Sequence, residues 1–489
     1  MDYTKRVSQH TATAYSKIGL KAGLEIHQQL DTGKLFCACP GYLRSEEPHF
    51  SVIRRLHAVA GETGEVDAAV AHEAVLGRTF LYQGYNDTTC LVELDEEPPH
   101  FVNEAALDEA LKIALLLNCE VYPVTQVMRK TVIDGSNTSG FQRTVLLAHD
   151  GFIETSFGKV KVDTVCLEED AARIVSRDEK AAVYRLDRLG IPLVEIATAA
   201  VLDTPDKIKE TALKLGEILR ACKVKRGIGT IRQDVNISIK GHDRVEVKGF
   251  QDPAMMIETV RKEVLRQETE LKQGKKEGAV RNALPSGDTE FLRPMPGKAR
   301  MYPETDLPLL TIGRERLNML KKILPKLRTE IRDELKKKGL SEEMIRLVLD
   351  GHLDEFETLI KIYSKDADLV AKMVVLWRQE FASKLKKSFE EIEGVLNERV
   401  LEQVLEALVK GEIGEGDIKG VLWKVTNGAK IEDALKIEKI DDHVIEEKII
   451  AIVRDKPGLR AGAYMGMVIA KMPGVDKRKA MEILNRLVK

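Results

Sequence analysis

The stretch Gly23-Leu24-Glu25-Ile26-His27-Gln28-Gln29-Leu30 decides how the first half of this chain is read. In a strand, alternate residues point to the same side. Leu24, Ile26 and Leu30 then share one face and leave Glu25 and His27 together on the other. A carboxylate and an imidazole side by side on a rigid strand can begin a metal site. The same pair can also be an exposed polar face, so the surrounding sequence has to decide.

Further along, several more carboxylates end or interrupt strand-like runs: Glu168-Glu169-Asp170 after Val165-Cys166-Leu167, Glu195 in Pro192-Leu193-Val194-Glu195-Ile196, Asp234 in Arg232-Gln233-Asp234-Val235-Asn236, and Glu246 in Val245-Glu246-Val247-Lys248. Burying a carboxylate among apolar residues is costly unless it is paired or bound to a cation. Glu195, flanked by Leu193, Val194 and Ile196, is the sharpest case. Hard oxygen donors favour Mg²⁺, and a single His among carboxylates also suits Mn²⁺. Each carboxylate taken alone could equally be an edge charge, a salt-bridge partner or a helix cap. The chain has no G-x-x-x-x-G-K-[ST] phosphate loop, G-x-G-x-x-G fingerprint, H-E-x-x-H helix or G-x-S-x-G elbow.

The 489 residues allow two to four domains, and 43% hydrophobic with 31% charged residues describes a soluble globular protein. A formal charge of −2 argues against a uniformly basic coat but leaves room for a local basic face. The six cysteines lack C-x-x-C spacing, and Cys37-Ala38-Cys39 alone is a weak signal. Scattered thiols, no signal-like N-terminus and no apolar run near ~18 residues predict a cytoplasmic protein with no membrane association.

The pattern changes near residue 312. Before it, β-like runs (Val160-Lys161-Val162, Ile191 to Ile196, Val235 to Ile239) alternate with amphipathic helices over 107–117 and 205–222, the second opened by Thr204 and Pro205. After it the period is helical, as in Leu317-Leu320-Ile323-Leu324-Leu327. The expected class is α+β: a mixed catalytic domain over 1–312, a helical domain over 313–425 and a small helical tail domain over 426–489. The charged run Lys272 to Gly278 reads as a linker. In the tail, small residues at Gly462, Ala463 and Gly466 permit close helix approach, and 476–489 reads as a basic amphipathic helix.

Gly23 to Thr32, followed by Lys34-Leu35-Phe36-Cys37, resembles the opening signature of the kinase subunits of tRNA-dependent amidotransferases. That family comprises the B-type subunit of the bacterial and organellar enzymes and the E-type subunit of the archaeal Glu-tRNA(Gln) amidotransferase. Further blocks agree in order: Gly140-Phe141-Gln142-Arg143-Thr144, Leu167 to Ala171, Gly190 to Ile196, Arg232 to Asn236 and Arg300 to Pro308. The end, Gly462 to Lys489, is similar to the family's tail domain. Gln28-Gln29, Ser136 to Thr144 and Arg293 to Gly297 resemble the E type rather than the B type. The E-type subunit normally carries an insertion resembling part of a bacterial-type aspartyl-tRNA synthetase; here Gly274 to Asn282 runs straight into Ala283-Leu284-Pro285, and the insertion is missing.

The resemblance implies a cradle-like catalytic core in which ATP phosphorylates the γ-carboxylate of misacylated Glu-tRNA(Gln). Ammonia from an asparaginase-like amidase partner, the D-type subunit, then gives Gln-tRNA(Gln), in a heterotetramer of two D and two E subunits. Carried over by position, a first Mg²⁺ falls on His27, Glu169 and Glu195, and a second, ATP-linked Mg²⁺ on Glu25, Asp234 and Glu246. Arg232 and Lys248 stand beside two of these ligands as phosphate contacts or as salt bridges balancing the acids. In the tail, Lys471, Lys477, Arg478 and Lys479, with Lys456 and Arg460 nearby, are candidates for gripping tRNA phosphates; a charged helix face is also commonly just solvated. The alternatives are the B-type subunit of a three-subunit enzyme acting on Asp-tRNA or Glu-tRNA, and a module that mainly binds tRNA.

Overall fold

The computed structural model describes residues 12–57, 77–250, 253–295, 301–436, 442–472 and 477–488, with isolated positions at 64, 66, 71, 74, 75 and 475. It is α+β, and the chain divides into two compact units, Met1–Leu327 and Arg328–Lys489.

Among the described residues the first unit carries three sheets, of which the largest, a mixed one, positions the site. Its main path uses β1 (Lys21–Gln29), β2 (Val127–Thr131), β3 (Phe141–Thr155), β4 (Gly158–Glu169), β5 (Pro192–Thr198), β6 (Ile231–Ser238), β7 (Val245–Phe250), β8 (Ala279–Ala283), β9 (Thr289–Pro294) and β10 (Met301–Pro303). Their spatial order is β9-β8-β7-β6-β1-β5-β4-β3-β2-β10, so the opening strand is central. Only the β7–β8 pair is parallel. Three helices, α1 (Glu104–Leu116), α2 (Pro205–Ala221) and α3 (Pro253–Lys272), supply the other half of the core. Leu24 and Ile26 of β1, Val235 and Ile237 of β6 and Val194 and Ile196 of β5 are buried with Leu107, Leu111, Leu215, Leu219, Val260 and Val264 of these helices. One face of the central strands is therefore spent on the core, and the strand period leaves their alternate residues on the other.

Helix α2 starts as its sequence dictates: Thr204 accepts a hydrogen bond from the Lys207 backbone at 3.3 Å, with Pro205 in the first turn. The expected linker is a tight turn into β8. A Cβ on Gly278 would collide with the Arg244 carbonyl, so this close return of the chain needs glycine.

Four details of the expected organisation differ in the structure. The helix after residue 312, α4 (Arg314–Lys322), stays with the first unit: Leu320 is in its core and Arg316 pairs with Asp108 at 2.7 Å. The helical period over 317–327 is interrupted, because Pro325 cannot continue a helix and restricts the residue before it; the next helix is Arg328–Lys337. In the second unit one helical core runs from Leu335 to Ala434, and a separate one from Ile445 to Leu484 forms the tail, so the tail core begins well after residue 426. The tail helices are Asp442–Asp455, Ala461–Lys471 and Lys477–Leu487. They pack through Tyr464 and Val468, whereas Cβ atoms on Gly462 and Gly466 would meet nothing within 4 Å, so those glycines do not serve close approach.

The described part of the Arg300 to Pro308 block, from Met301 on, closes the far edge of the sheet. Glu304 is fully buried, and its carboxylate takes hydrogen bonds from Arg143 at 2.9 Å and from Arg129. Burial pushes the Glu304 carboxyl up, but the bonds from Arg129, the Asp306 backbone and Arg143 outweigh it and hold it below the usual carboxylate range. That contribution to stability is present above the ordinary carboxyl value of 4.5 and is lost as pH falls through the lower folded value. Glu304→Ala removes the buried carboxylate that Arg129 and Arg143 share and leaves them only Asp306 at 3.1 Å and Glu169 at 3.5 Å. It is expected to cost about 3–5 kcal/mol in a denaturant titration at neutral pH, and Glu304→Gln should make stability less sensitive to pH below 4.5.

Candidate metal centre in the cleft

The register of the central strands assembles the site. In β1, Glu25 lies opposite Asp234 of β6, and His27 opposite Glu195 of β5. Glu195 in turn lies opposite Cys166 of β4, which places Glu168, two residues on, diagonal to it on the same face. His27 Nε2 is 3.0 Å from Glu195 Oε2, 3.6 Å from Glu168 Oε2 and 3.8 Å from Glu25 Oε1. Two groups of donors have all their ligand atoms within 4.8 Å of one another: His27 with Glu168 and Glu195, and Glu25 with His27 and Asp234.

The structure separates Glu169 from this set and puts Glu168 in its place. The two are consecutive in β4, so their side chains leave on opposite faces. Glu168 accepts from Lys130 Nζ at 2.8 Å, Thr144 Oγ1 at 2.8 Å and Gln142 Nε2 at 3.1 Å. Glu169 turns away and accepts from the Arg143 backbone N–H at 3.0 Å, in a small cavity with Phe36 and Glu93. Burial raises its carboxyl above the usual range.

Each carboxylate group already has an ammonium lodged in it. Lys130, which carries no sequence signal of its own, lies 3.6 Å from Glu195 as well as against Glu168. Lys248 donates to Asp234 at 2.6 Å and also bridges to Glu246, which joins the second group through that lysine. Burial works against the Lys248 ammonium, but Asp234 and Glu246 outweigh it and hold its pKa up. Glu246 is likewise pushed up by burial and brought below the usual range by Lys248. Arg232 forms a paired contact with Asp170, at 3.1 and 3.4 Å, and Gln29 donates to the same carboxylate at 2.6 Å. Both basic residues expected at phosphates thus form salt bridges here.

The electrostatics fit a cation. Burial and then the charge of Glu195 push Glu25 above the usual carboxylate range. Burial opposes a charged His27, yet its hydrogen bond to Glu195 and the charges of Glu195, Glu168 and Glu25 raise it. Glu195 is pushed up by burial but brought well below the usual range by its bond to His27 and the Lys130 charge. An imidazole amid three carboxylates is a hard, oxygen-rich donor set suited to Mg²⁺ or Mn²⁺. The site floors a cleft of about 740 Å³ whose walls carry six carboxylates and six Lys or Arg side chains. Such near-balance suits a polyanion that arrives with its own cations better than a bare anion.

Sequence spacing also missed a third group. Cys37, Cys39, Cys90 and Glu93 bring four ligand atoms within 4.8 Å of one another. Three sulfurs and one oxygen are donors that suit Zn²⁺. Of the tail lysines, Lys471 and Lys479 are exposed, and the side chains of Lys477 and Arg478 lie outside the described residues.

The GatB/GatE catalytic domain family matches residues 20–318, the part of the chain that carries every strand of this site. The chain belongs to the GatB/GatE family. Relatives named as the E subunit of glutamyl-tRNA(Gln) amidotransferase match it throughout. The one from Methanocaldococcus jannaschii is 37% identical, covering 97% of this chain and 99% of the relative. That from Methanosarcina barkeri is 32% identical over 97% and 98%, and that from Methanothermobacter thermautotrophicus 34% over 86% and 89%. The chain is therefore an enzyme subunit of the amidotransferase class, resembling GatE rather than GatB. The first of these alignments runs over 629 positions against the 489 residues of this chain, so that relative carries internal residues absent here. Among the described residues no helix is long and apolar enough to cross a membrane.

Metal affinity distinguishes the two consecutive glutamates of this GatB/GatE site. His27→Ala and Glu168→Ala should each weaken divalent-cation binding roughly tenfold or more. Glu169→Ala should leave it within about twofold, and Glu25→Ala should weaken it less than His27→Ala. Isothermal calorimetry with Mg²⁺ and Mn²⁺ reads all four; equal losses in Glu168→Ala and Glu169→Ala would contradict the assignment.

Proposed function

We propose that this chain is the kinase and transamidase subunit of an archaeal-type Glu-tRNA(Gln) amidotransferase. It uses ATP to phosphorylate the glutamyl γ-carboxylate of misacylated Glu-tRNA(Gln) and amidates the product to Gln-tRNA(Gln). The main support is the pair of carboxylate-and-histidine groups, each bridged by a lysine, on the floor of a charge-balanced cleft. The name borne by the relatives supports the substrate.

In the first step a γ-carboxylate oxygen attacks the γ-phosphorus of ATP and ADP leaves. In the second, ammonia displaces phosphate from the acyl phosphate, so two easy steps replace one difficult one. His27, Glu168 and Glu195 would hold one Mg²⁺ and Glu25, Asp234 and Glu246 a second. When bound, the two ions supply charge neutralisation for the triphosphate and the carboxylate. The chain's own part is positioning. Lys130 and Lys248 bridge the carboxylates, offset their mutual repulsion and present ammonium groups to incoming phosphate oxygens. Arg232, oriented by Asp170 and half-exposed on the cleft wall, is placed to receive phosphate at the cost of part of its salt bridge. The acyl phosphate hydrolyses in water, so ammonia is best delivered directly by an amidase partner. That partner is the asparaginase-like D-type subunit, in a D₂E₂ assembly working in the cytoplasm. The exposed Lys471 and Lys479 of the tail would add salt-dependent contacts to the tRNA.

Single-turnover transfer of the ATP γ-phosphate in the presence of Glu-tRNA(Gln), Mg²⁺ and no amide donor tests the reading. Glu195→Ala is expected to reduce the rate by at least about 10²-fold. A wild-type rate no higher than that of Glu195→Ala would leave only tRNA binding as the chain's role. Affinity capture on the full chain should retain the D-type amidase and neither of the A and C subunits of the three-subunit enzyme.

A further inference from the structure

The loop Lys223-Val224-Lys225-Arg226-Gly227-Ile228-Gly229-Thr230 joins α2 to β6, and the metal groups make no use of it. Its feet are sewn to the end of β1. The Lys225 N–H donates to Gln29 O at 3.0 Å and the Gln29 N–H to Thr230 O at 2.9 Å. Gln28, buried and next to His27, turns its amide to the same join, with Nε2 within 2.9–3.1 Å of the carbonyls of Lys225, Gln29 and Thr230. Thr230 Oγ1 donates to Gly227 O at 2.8 Å and closes the tip. The loop is thus held in register with the metal centre, and Gly229 and Arg232 line the cleft itself.

The tip is the unusual part. Ile228 is 95% exposed, the most exposed of the large apolar side chains among the described residues. It stands between glycines at φ +118° and +83°, where a Cβ would be strained though nothing lies within 4 Å. Lys223 and Arg226 of the same loop are exposed, as is Arg220 in the last turn of α2, whose carbonyl accepts from Arg226 at 3.3 Å, and none of the three forms an ion pair among the described residues. An apolar tip among unpaired cations matches single-stranded nucleic acid: phosphates take the cations and a base lies on the apolar surface. A small ligand is a poorer match, because its sites cover about 70–90% of its surface and this tip covers almost nothing. An RNA end brings its own bulk.

We propose that loop 223–230 receives the single-stranded 3′ end of the RNA substrate at the rim of the cleft. The terminal base lies on Ile228, and the flanking phosphates lie against Arg220, Lys223 and Arg226. The proposal rests on the reading that the substrate is an aminoacyl-tRNA, and its test does not need the chemistry to occur. Binding of the full chain to an uncharged tRNA transcript, intact or lacking its 3′-terminal nucleotide, is measured by filter retention without ATP. Ile228→Ala should weaken the intact transcript roughly three- to tenfold and the shortened one not at all, with an unchanged melting temperature because Ile228 supports nothing. Arg226→Ala should weaken both and lower the log–log salt slope by about one. Equal losses of Ile228→Ala on the two transcripts, or no loss on either, would overturn the proposal. So would a raised KM for ATP with RNA affinity intact. If this discrimination holds while phosphoryl transfer is absent, the loop's role stands and the catalytic reading falls.

Discussion

Everything in the first unit follows from confining carboxylates to one face of a sheet whose other face is a dry core. Glu25, His27, Glu195, Glu168 and Asp234 converge because the strands that carry them are neighbours, and those strands are neighbours because Leu24, Ile26, Val194, Ile196 and Val235 are buried together beneath them. The core cannot form without gathering the acids. Gathered acids repel, and burial raises the cost of each charge. Lys130 and Lys248 relieve that cost in the protein alone. A lysine that bridges two carboxylates also marks where a divalent cation would be welcome, since the same oxygens can serve either. The sheet is in this sense built around a place for positive charge.

The alternation of β1 could be read directly from sequence, and it located Glu25 and His27 on one side with no other information. Glu195 and Asp234 were legible for the same reason, as charges inside apolar strands. Glu168 and Glu169 were not separable that way. Consecutive carboxylates at the end of a strand have opposite parity, and only the register against β3 and β5 says which one faces the cleft. Lys130 was invisible because a lysine in Val127-Met128-Arg129-Lys130-Thr131 looks like any edge-strand charge. The cysteine group escaped for a related reason: Cys37 and Cys39 meet Cys90 and Glu93 only through the fold, at a separation no spacing rule covers. In the helical half the period was plain, but its interruptions were not, and Pro325 decides where α4 ends more firmly than the leucines on either side extend it.

The edge of the sheet shows the same economy of charge with a different outcome. Glu304 meets Arg129 and Arg143 in a site with almost no access to water. There both carboxylate oxygens are taken by guanidinium groups, which ties the edge strand to β2 and β3. In the cleft each bridging lysine is partly exposed, so an incoming cation could compete with it for the same oxygens. Whether a buried carboxylate becomes scaffold or ligand depends on its partner. A planar guanidinium, held by several bonds, stays, whereas a flexible ammonium on a four-carbon stem can move aside. Arg143 illustrates the link between the two: its side chain anchors Glu304 while its backbone N–H holds Glu169 away from the cleft.

The two glutamines after His27 extend this logic from the floor of the cleft to its rim. Gln28 and Gln29 are buried, and their amides are committed to opposite tasks: Gln28 to the feet of loop 223–230, Gln29 to Asp170 and through it to Arg232. One short strand segment therefore fixes a candidate metal ligand, a cleft arginine and a surface loop with respect to one another. The relatives carry internal residues that this chain does not. Where the chain returns from α3 to β8 it does so through a turn so close that Gly278 packs on the Arg244 backbone, and Arg244 itself lines the cleft. On the proposed reading, contacts with RNA in this chain fall to the rim of the first unit or to the second unit. The rim has the advantage of geometry. A contact anchored one residue from His27 would set the distance between a bound RNA end and the candidate metal centre, while a contact on a separate unit would add affinity without fixing that distance.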